Sequence, residues 1–230
     1  MDELQRIVDA YDRRDARPRS GFFGYEHLAH MIRIQERHRR TLQMLQKSGF
    51  ADLSQLKILD VGCGNGDLLL NFLQWGAEPE HLAGIDLREK PVARARRINP
   101  QVDVRSGNAG DLPWPSGHFD IVGQHTVFTS ILDESLRRQV ASEMTRVLRS
   151  GGAILWYDFK YNNPRNPDVR GVRASEIRSL FKPLEIHLES ITLAAPVQRK
   201  LPKEGLQISY PLLASLPPLR THYLGLFLKP

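Results

Sequence analysis

The sequence predicts an α/β fold built on a doubly wound, mostly parallel sheet, with a helical extension at the N-terminus. Two observations lead to this prediction. From residue 56 onward, short apolar runs alternate with amphipathic stretches of helical periodicity. In addition, a glycine-rich turn joins the first apolar run to the stretch that follows it. Strands separated by helices pair in parallel through right-handed crossovers, which place helices on both faces of the sheet.

The composition is that of a globular protein with a hydrophobic core. Of the 230 residues, 41% are hydrophobic and 25% are charged, which excludes wholesale disorder and a fibrous fold. No run approaches the roughly 18 apolar residues that a membrane span needs. The N-terminus lacks the layout of a signal peptide, and the single cysteine, Cys63, cannot form an internal disulfide. We therefore expect a cytoplasmic protein.

The net charge does not by itself identify a partner. The chain carries +6 at pH 7, an excess that suits nucleic acid, anionic metabolites or neither. Its basic residues are scattered rather than grouped in a stripe, which argues against nucleic acid.

The first 50 residues predict a helical lid or extension. Apolar side chains at the spacing of one helix face begin it, namely Leu4, Ile7, Val8 and Tyr11. A loop over residues 13–24 and a second helix over residues 26–48 follow. We expect the outer side of the second helix to face solvent; it carries Arg33, Glu36, Arg37, Arg39 and Arg40.

Three aromatic residues lie between these two helices: Phe22, Phe23 and Tyr25. Two interpretations stay open for them. Either they approach a ligand beneath the lid, or they anchor the loop in the core.

Residues 51–230 predict the main domain. Strands are expected at residues 57–61, 81–86, 102–104, 119–123, 153–159, 185–194 and 222–228. Helices are expected at residues 67–75, 91–97, 133–148, 174–181 and 205–216. The segments at residues 159–182 and 194–222 lie outside the regular alternation, and we assign the acceptor-site elements of the protein to them.

A glycine-rich loop gives the strongest local signal. An apolar run ends in Gly62, Gly64 and Gly66 and leads into a helix, and Asp86 ends the next apolar run. Glycines let a ligand lie against the main chain, and a carboxylate at the end of the second strand can bind both hydroxyls of a ribose. The loop therefore predicts a nucleoside-type ligand at the carboxyl edge of the sheet.

The spacing of these glycines argues against a dinucleotide. A dinucleotide fingerprint reads Gly-x-Gly-x-x-Gly, whereas this loop reads Gly-x-Gly-x-Gly, which counts against a nicotinamide-dependent oxidoreductase. Asp67 at the helix start would also repel a pyrophosphate. A nucleoside with a cationic or zwitterionic tail fits better. The ammonium group and sulfonium centre of S-adenosylmethionine suit the carboxylates of Asp60 and Asp67.

Four segments occur in an order typical of one known family. Residues 59–66, Leu-Asp-Val-Gly-Cys-Gly-Asn-Gly, resemble motif I of the class I S-adenosylmethionine-dependent methyltransferases (Rossmann-like, methyltransferase type 11 or UbiE-like). Residues 107–115 and 119–122 are similar to the segment that encloses the adenine, and residues 146–153 resemble the turn before the fifth strand. The resemblance covers about residues 56–159, and the closing two strands fit the antiparallel hairpin of the family.

This resemblance implies the complete fold and the cofactor. The sheet would be seven-stranded and mostly parallel, with an antiparallel C-terminal strand. The cofactor would be S-adenosylmethionine, with S-adenosylhomocysteine as the product.

The resemblance also implies the cofactor-binding residues. The methionine part would meet Asp60, Gly62, Gly64, Gly66 and Gln124, the last through its carbonyl. The adenosine part would meet Asp86, Leu87, Asn108 and Ala109. Many relatives carry Asp at the position of Asn108, and Asn can still accept a hydrogen bond from the adenine amino group.

The acceptor pocket is expected at the carboxyl ends of the fourth and fifth strands. His125 follows the fourth strand, and it either accepts a hydroxyl proton or orients the acceptor. Asp158 ends the fifth strand and is either a base or a turn carboxylate. Further candidates for acceptor binding are Tyr25, Tyr157, Tyr161, Asn163, Arg165, Arg199 and His222. Because arginine suits carboxylate and phosphate, these residues favour an anionic acceptor.

The sequence therefore predicts an enzyme that methylates a small molecule, at an oxygen of an anionic or hydroxylated metabolite, as a monomer or homodimer. No cluster with clear metal-ligand spacing occurs, so no metal is predicted. The alternatives are an RNA or protein methyltransferase and a non-catalytic methyltransferase-like subunit. An amino-methylating nucleic-acid enzyme of this fold would be expected to carry an Asp/Asn-Pro-Pro-aromatic motif after the fourth strand, which this chain lacks. A non-catalytic subunit is disfavoured because the glycine loop and Asp86 are present.

Overall fold

A seven-stranded sheet forms the centre of the main domain in the computed structural model, which describes residues 2–16, 28–202 and 204–230. The strands are β1 (Ile58–Val61), β2 (Leu82–Asp86), β3 (Asp103–Ser106), β4 (Phe119–His125), β5 (Leu148–Phe159), β6 (Glu185–Leu193) and β7 (Arg220–Leu228). Their order is β3-β2-β1-β4-β5-β7-β6. The first five pair in parallel, and β7 runs antiparallel to β5 and β6. The predicted fold class is confirmed.

Helices pack on both faces of this sheet. They are α1 (Glu3–Asp15), α2 (Leu28–Lys47), α3 (Asp67–Gln74), α4 (Glu89–Ile98), α5 (Glu134–Val147), α6 (Ala174–Leu180), α7 (Ala195–Gln198) and α8 (Leu206–Ala214). None of the helices in the described ranges is both long and apolar enough to cross a lipid bilayer.

The core has two layers, one on each face of the sheet. An aromatic group that includes Phe128, Trp156 and Phe181 fills the face covered by α5 and α6. Aliphatic residues and Phe72 fill the face covered by α3 and α4. Each fully buried side chain of this size stabilises the fold by roughly 1.5–3 kcal/mol. Because successive residues of a strand point to opposite faces, Trp156 joins one layer and Tyr157 the other.

Two element boundaries differ from the prediction by more than two residues. β5 begins at Leu148, five residues before the predicted strand at residues 153–159, so residues 148–152 lie inside the strand. Hydrogen bonds to Lys229, which follows β7, hold this early part of β5 in the sheet. The Gly151 N–H donates to the Lys229 carbonyl, and the Lys229 N–H donates to the Gly152 carbonyl. α1 extends to Asp15, into the predicted loop, and the rest of that loop falls outside the described residues.

The prediction that the outer side of α2 faces solvent is wrong for part of the helix. Arg39 and Arg40 are exposed, but Arg33, Glu36 and Arg37 are half-buried. The reason is that α2 packs against β6, β7 and α8, so protein meets the helix on more than one side. Packed in this way, α2 holds Arg33, Glu36 and Arg37 against the β6–β7 side of the sheet.

Candidate active site

The loop after β1 is held against β2 by the main chain. The N–H groups of Gly62 and Cys63 donate to the Ile85 carbonyl at 2.7 and 2.9 Å. The φ angle of Gly62 is 71°, in the left-handed region, and a β-carbon there would collide with the Val127 side chain. This turn can therefore be built only with glycine at position 62.

Asp86 ends β2 and joins the loop from the opposite side. Its Oδ2 accepts the Gly64 N–H at 2.9 Å, and its Oδ1 accepts the Arg88 N–H at 3.0 Å. Each carboxylate oxygen has a further lone pair, so Asp86 retains the capacity to accept hydrogen bonds from two hydroxyls. Its position at the carboxyl edge is the one that the sequence predicts for binding a ribose.

A pocket opens next to Asp86. Five of the predicted cofactor residues line it together: Gly62, Asp86, Leu87, Asn108 and Ala109. Its volume is about 90 Å³, below the roughly 300 Å³ at which ligand pockets begin, because Leu4, Ile7 and Tyr11 of α1 form one wall. A nucleoside in this pocket would displace α1 outward.

Hydrogen bonds fasten α1 over this pocket. The Arg6 guanidinium donates to the Ser130 carbonyl at 2.5 Å, and Glu3 accepts the Leu132 N–H at 2.5 Å. The Tyr11 hydroxyl and the Ser130 hydroxyl are 2.9 Å apart. On the other side of the Tyr11 ring, the Arg88 guanidinium carbon lies 4.3 Å from the ring centre. Sequence reasoning missed Tyr11 as a pocket residue, although it recognised Tyr11 on the apolar face of α1.

Two further predicted cofactor residues, Asp60 of β1 and Gln124 of β4, are buried. Among the described residues, Asp60 Oδ1 and Gln124 Nε2 have no hydrogen-bond partner. Gln124 Oε1, predicted to meet the cofactor, accepts the Val127 N–H at 3.0 Å. Burial raises the pKa of Asp60 well above its usual range, and the charges of Asp86 and Asp67 add to the effect. Buried polar atoms without partners are costly, so this pair favours a polar ligand.

The remaining predicted loop residues have structural positions in the same turn. The Gly64 N–H binds Asp86, as described, and Gly66 precedes α3 with a φ of 85°. Asn108 Oδ1 accepts the Gly110 N–H at 2.9 Å, which stabilises the turn after β3. Cys63 is buried, and its raised pKa, caused mainly by burial, keeps the thiol protonated.

At the end of β4, His125 sits beside Tyr157 of β5. The two residues are paired in register, and their ring centres are 5.3 Å apart. His125 Nε2 is buried without a hydrogen-bond partner among the described residues. Burial lowers the pKa of His125 well below its usual value, and the charges of Arg37, His38 and His222 lower it further. The imidazole is therefore neutral near pH 7.

The backbone is strained directly after His125. Thr126 has a φ of 59°, a left-handed conformation that is uncommon for a β-branched residue. Its N–H donates to the Tyr157 carbonyl at 2.8 Å, which holds the end of β4 against β5. Such strain concentrates at functional sites.

Asp158 faces away from His125 and Tyr157, because it follows Tyr157 in β5. It is fully buried, and its two oxygens accept the N–H groups of Thr129 and Phe159 at 3.1 and 2.8 Å. Burial raises the pKa of Asp158 to about 7. The geometry supports the alternative that Asp158 is a turn carboxylate.

The predicted acceptor-binding residues divide into two groups. His222 is buried and joins Tyr157. Tyr161, Asn163, Arg165 and Arg199 are exposed and lie outside the cluster around Tyr157. Tyr25 falls outside the described residues, as do Phe22 and Phe23. In the described ranges, no group of three or more His, Cys, Asp or Glu side chains could hold a metal ion.

The sheet order and the pocket together define a class of protein. Ligands of open α/β sheets bind outside the carboxyl ends of the strands, where the strand order reverses, and here that point lies between β1 and β4. The glycine loop after β1 and the acid after β2 are suited to a nucleoside. The chain is thus a Rossmann-like α/β protein with a nucleoside-type pocket.

Comparison with known proteins narrows this class to a family. Residues 58–152 match the model of the methyltransferase domain. A probable S-adenosylmethionine-dependent methyltransferase of Mycolicibacterium smegmatis is 31% identical over 143 residues, which are 57% of this chain and 52% of that protein. The ubiquinone/menaquinone biosynthesis C-methyltransferase UbiE of Methylobacterium nodulans is 31% identical over 110 residues, 46% of this chain and 42% of that protein. The chain thus spans about half the length of these relatives.

The solved structure of the YcgJ protein from Bacillus subtilis has the same fold. Its TM-score is 0.59 at 20% identity, over 84% of this chain and 99% of that chain. Residues 58–152 of this chain thus carry a methyltransferase domain of the class I, Rossmann-like S-adenosylmethionine-dependent type. The cofactor of this family is S-adenosylmethionine, and the product formed from it is S-adenosylhomocysteine.

Proposed function

We propose that this protein transfers a methyl group from S-adenosylmethionine to a small molecule at the β4–β5 edge of the sheet. The observation that carries the proposal is the set of polar groups at the carboxyl ends of β1, β2 and β4. Asp86 lines the pocket, and three buried atoms of the neighbouring strand ends have no hydrogen-bond partner among the described residues, namely Asp60 Oδ1, Gln124 Nε2 and His125 Nε2.

The residues present fit the cofactor. Asp60, Asp67 and Asp86 gather negative charge around the loop, which is why the pKa of Asp60 is raised beyond the effect of burial. A ligand with an ammonium group and a sulfonium centre would neutralise this charge. Asp60 and Gln124 would hold the methionine part, and Asp86, Leu87, Asn108 and Ala109 would hold the adenosine part. When bound, the cofactor supplies a methyl group on a positively charged sulfur.

The N-terminal helices are proposed to act as a lid. α1 forms a wall of the nucleoside pocket, and α2 lies at the acceptor edge. A lid that closes both sides of the site would exclude water and hold the cofactor and the acceptor in position. Positioning of this kind can supply much of the catalysis of an in-line displacement.

His125 is proposed to accept the proton of an acceptor hydroxyl. Its Nε2 has no partner among the residues that the structure describes, and its lowered pKa keeps the imidazole neutral and therefore able to accept a proton. This assignment favours oxygen as the methylated atom. The relative UbiE is named a C-methyltransferase, so carbon is the second candidate.

Two measurements test the proposal. Isothermal titration calorimetry should show binding of S-adenosylmethionine to the full chain. A screen of hydroxylated and carboxylated metabolites should then release S-adenosylhomocysteine, and NMR of the product distinguishes O-methyl from C-methyl. RNA and protein acceptors belong in the same screen. Failure to bind S-adenosylmethionine would overturn the enzyme proposal in favour of a non-catalytic subunit.

A further inference from the structure

The inner side of α2 brings an arginine to the acceptor edge. The Arg37 guanidinium carbon lies 5.1 Å from the centre of the Tyr157 ring. The Tyr157 ring contacts the rings of both His125 and His222. His38 follows Arg37 on α2 and acts electrostatically on His125, and its ring packs edge-on against Trp75 with ring centres 5.4 Å apart. We call Arg37, His38, His125, Tyr157 and His222 the Arg37 cluster.

Arg37 has no carboxylate partner for its charge among the described residues. Arg40, one turn further on, pairs with Glu189 at 2.5 Å, whereas Arg33, one turn before, meets the uncharged partner His30 Nδ1 at 2.9 Å. In the part of the chain that the structure describes, Arg37 forms no ion pair and its buried Nε has no hydrogen-bond partner; its guanidinium hydrogen-bonds the side chain of Tyr157, which carries no charge while protonated. Asp67, the carboxylate that acts on its charge, lies beyond ion-pair distance.

The rest of the Arg37 cluster adds no negative charge. His125 Nε2 and His38 Nε2 are also buried without partners among the described residues. The pKa values of Arg37, His38, His125 and His222 are all lowered, first by burial; neighbouring positive charges lower them further, while Tyr157 acts in the opposite direction on Arg37. Withdrawing a guanidinium from water without an anion is costly, so an anion bound beside Arg37 would stabilise this arrangement.

We propose that the acceptor carries an oxyanion, a carboxylate or an ionised hydroxyl, besides the hydroxyl whose proton His125 accepts, and that Arg37 is the counter-ion of this oxyanion at the β4–β5 edge. The proposal rests on the proposed function, because that function makes this edge the acceptor site. Arginine suits this role, since its charge persists at all physiological pH values and its N–H groups match the geometry of a carboxylate.

Binding of simple probes tests this inference without turnover. Benzoate and 4-nitrophenolate represent the two oxyanions, and benzamide is the neutral analogue of benzoate. Calorimetry on the full chain should show at least one oxyanion binding about tenfold more tightly than benzamide. Arg37→Gln should abolish this preference. Arg39→Gln, which alters an exposed arginine of the same helix, should preserve it.

The outcomes separate this inference from the proposed function. Equal binding of oxyanions and benzamide to the wild-type chain, or an oxyanion preference that survives Arg37→Gln, overturns the role of Arg37. Titration of S-adenosylmethionine into the same preparations tests the methyltransferase proposal independently and reports whether the variant is folded. If Arg37→Gln fails to fold, Arg37→Lys decides, because it keeps the charge and removes the Nε–H group. It should weaken the preference only partly, and an unchanged or completely lost preference contradicts the assignment.

Discussion

The rings of Tyr157 and His222 are stacked, with their centres 4.6 Å apart and their planes within 6° of parallel. They are diagonal neighbours on the antiparallel strands β5 and β7, where His222 pairs with Phe159. His222 is held in turn by Thr192 Oγ1, 2.5 Å from its Nδ1. The same hydroxyl donates to the Ile191 carbonyl at 2.7 Å, so the Nδ1–H tautomer of His222 satisfies both contacts of Thr192. The β6–β7 hairpin thereby helps to hold the Tyr157 ring at its place 5.1 Å from the Arg37 guanidinium carbon.

Replacing Asp86 should weaken cofactor binding. We expect Asp86→Ala to raise the Kd for S-adenosylmethionine by at least about tenfold, since the variant loses the acceptors for two hydroxyls and for the Gly64 and Arg88 N–H groups. Calorimetry measures this change. Asp111→Ala removes an exposed carboxylate of the same domain and should leave the Kd unchanged. Equal affinity in wild type and Asp86→Ala contradicts the ribose assignment.

Replacing His125 should slow turnover without affecting the cofactor. We expect His125→Ala to lower kcat roughly 100-fold or more if the residue is a general base, with the Kd for S-adenosylmethionine unchanged. His187→Ala, at an exposed histidine on β6, is the control. Retention of full turnover in His125→Ala would show that the base assignment is wrong.

The pH dependence of turnover gives an independent test of His125. Arg37, His38 and His222 face it, and together with burial they lower its pKa well below 6.5. The imidazole is therefore deprotonated throughout the neutral range. We expect kcat/KM to stay level as the pH falls from 8 to 6.5 and to decline only at lower pH. A decline centred near 6.5 would indicate that a different, ordinary histidine controls the rate.

Loosening α1 should speed cofactor release. Arg6→Gln weakens the contacts to the Ser130 carbonyl and to Glu3, each a charge-assisted hydrogen bond. We expect about tenfold faster amide hydrogen exchange in α1 and faster dissociation of S-adenosylmethionine in stopped-flow measurements. Gln5→Ala, at an exposed position whose side chain bonds only Asp9 in the same helix, is the matched control. Unchanged exchange in Arg6→Gln would argue against a fastened lid.

Asp158 should make stability fall as the pH rises from about 4 to 7. Its pKa is about 7 in the folded chain and roughly 3.9 when unfolded, so over this range the unfolded state releases a proton that the folded state retains. His125 and His222 act in the opposite direction, since their lowered pKa values reduce stability as the pH falls below about 6.5.

A variant isolates the contribution of Asp158. Asp158→Asn should remove its share, so the free energy of unfolding should decline less between pH 4 and 7 than in the wild-type chain. Urea unfolding at several pH values measures this slope, and Asp12→Asn, at an exposed residue of α1, should not alter it. An unaltered slope in Asp158→Asn would mean that the carboxyl titrates normally.

Local sequence was sufficient for the nucleoside pocket. The requirement for glycine at position 62 and the position of Asp86 at a strand end depend on neighbours within a short βαβ unit. Motifs of this kind therefore predicted the fold class and the family, both of which are confirmed. The roles of the individual site residues stay predictions, and the structure shows that five of them line one pocket.

The acceptor edge was less predictable because distant segments build it. His125, Tyr157 and His222 lie on three different strands, and Arg37 comes from a helix that precedes the sheet in the chain. Spacing along the chain identified the first three as candidates. It assigned Arg37 to solvent, since a charged stripe on an amphipathic helix usually faces water.

The sequence by itself determined the class of protein, the glycine loop and the acid that follows the second strand, because these depend on local backbone conformation and on periodicity. Only the tertiary structure decided which charged side chains lie at the proposed acceptor edge and which face water. The packing of α2 against β6, β7 and α8 partly buries Arg37, and the alternation of β5 turns Asp158 away from His125 and Tyr157. The burial of a charged group depends on what packs against it, and that neighbour can come from any part of the chain.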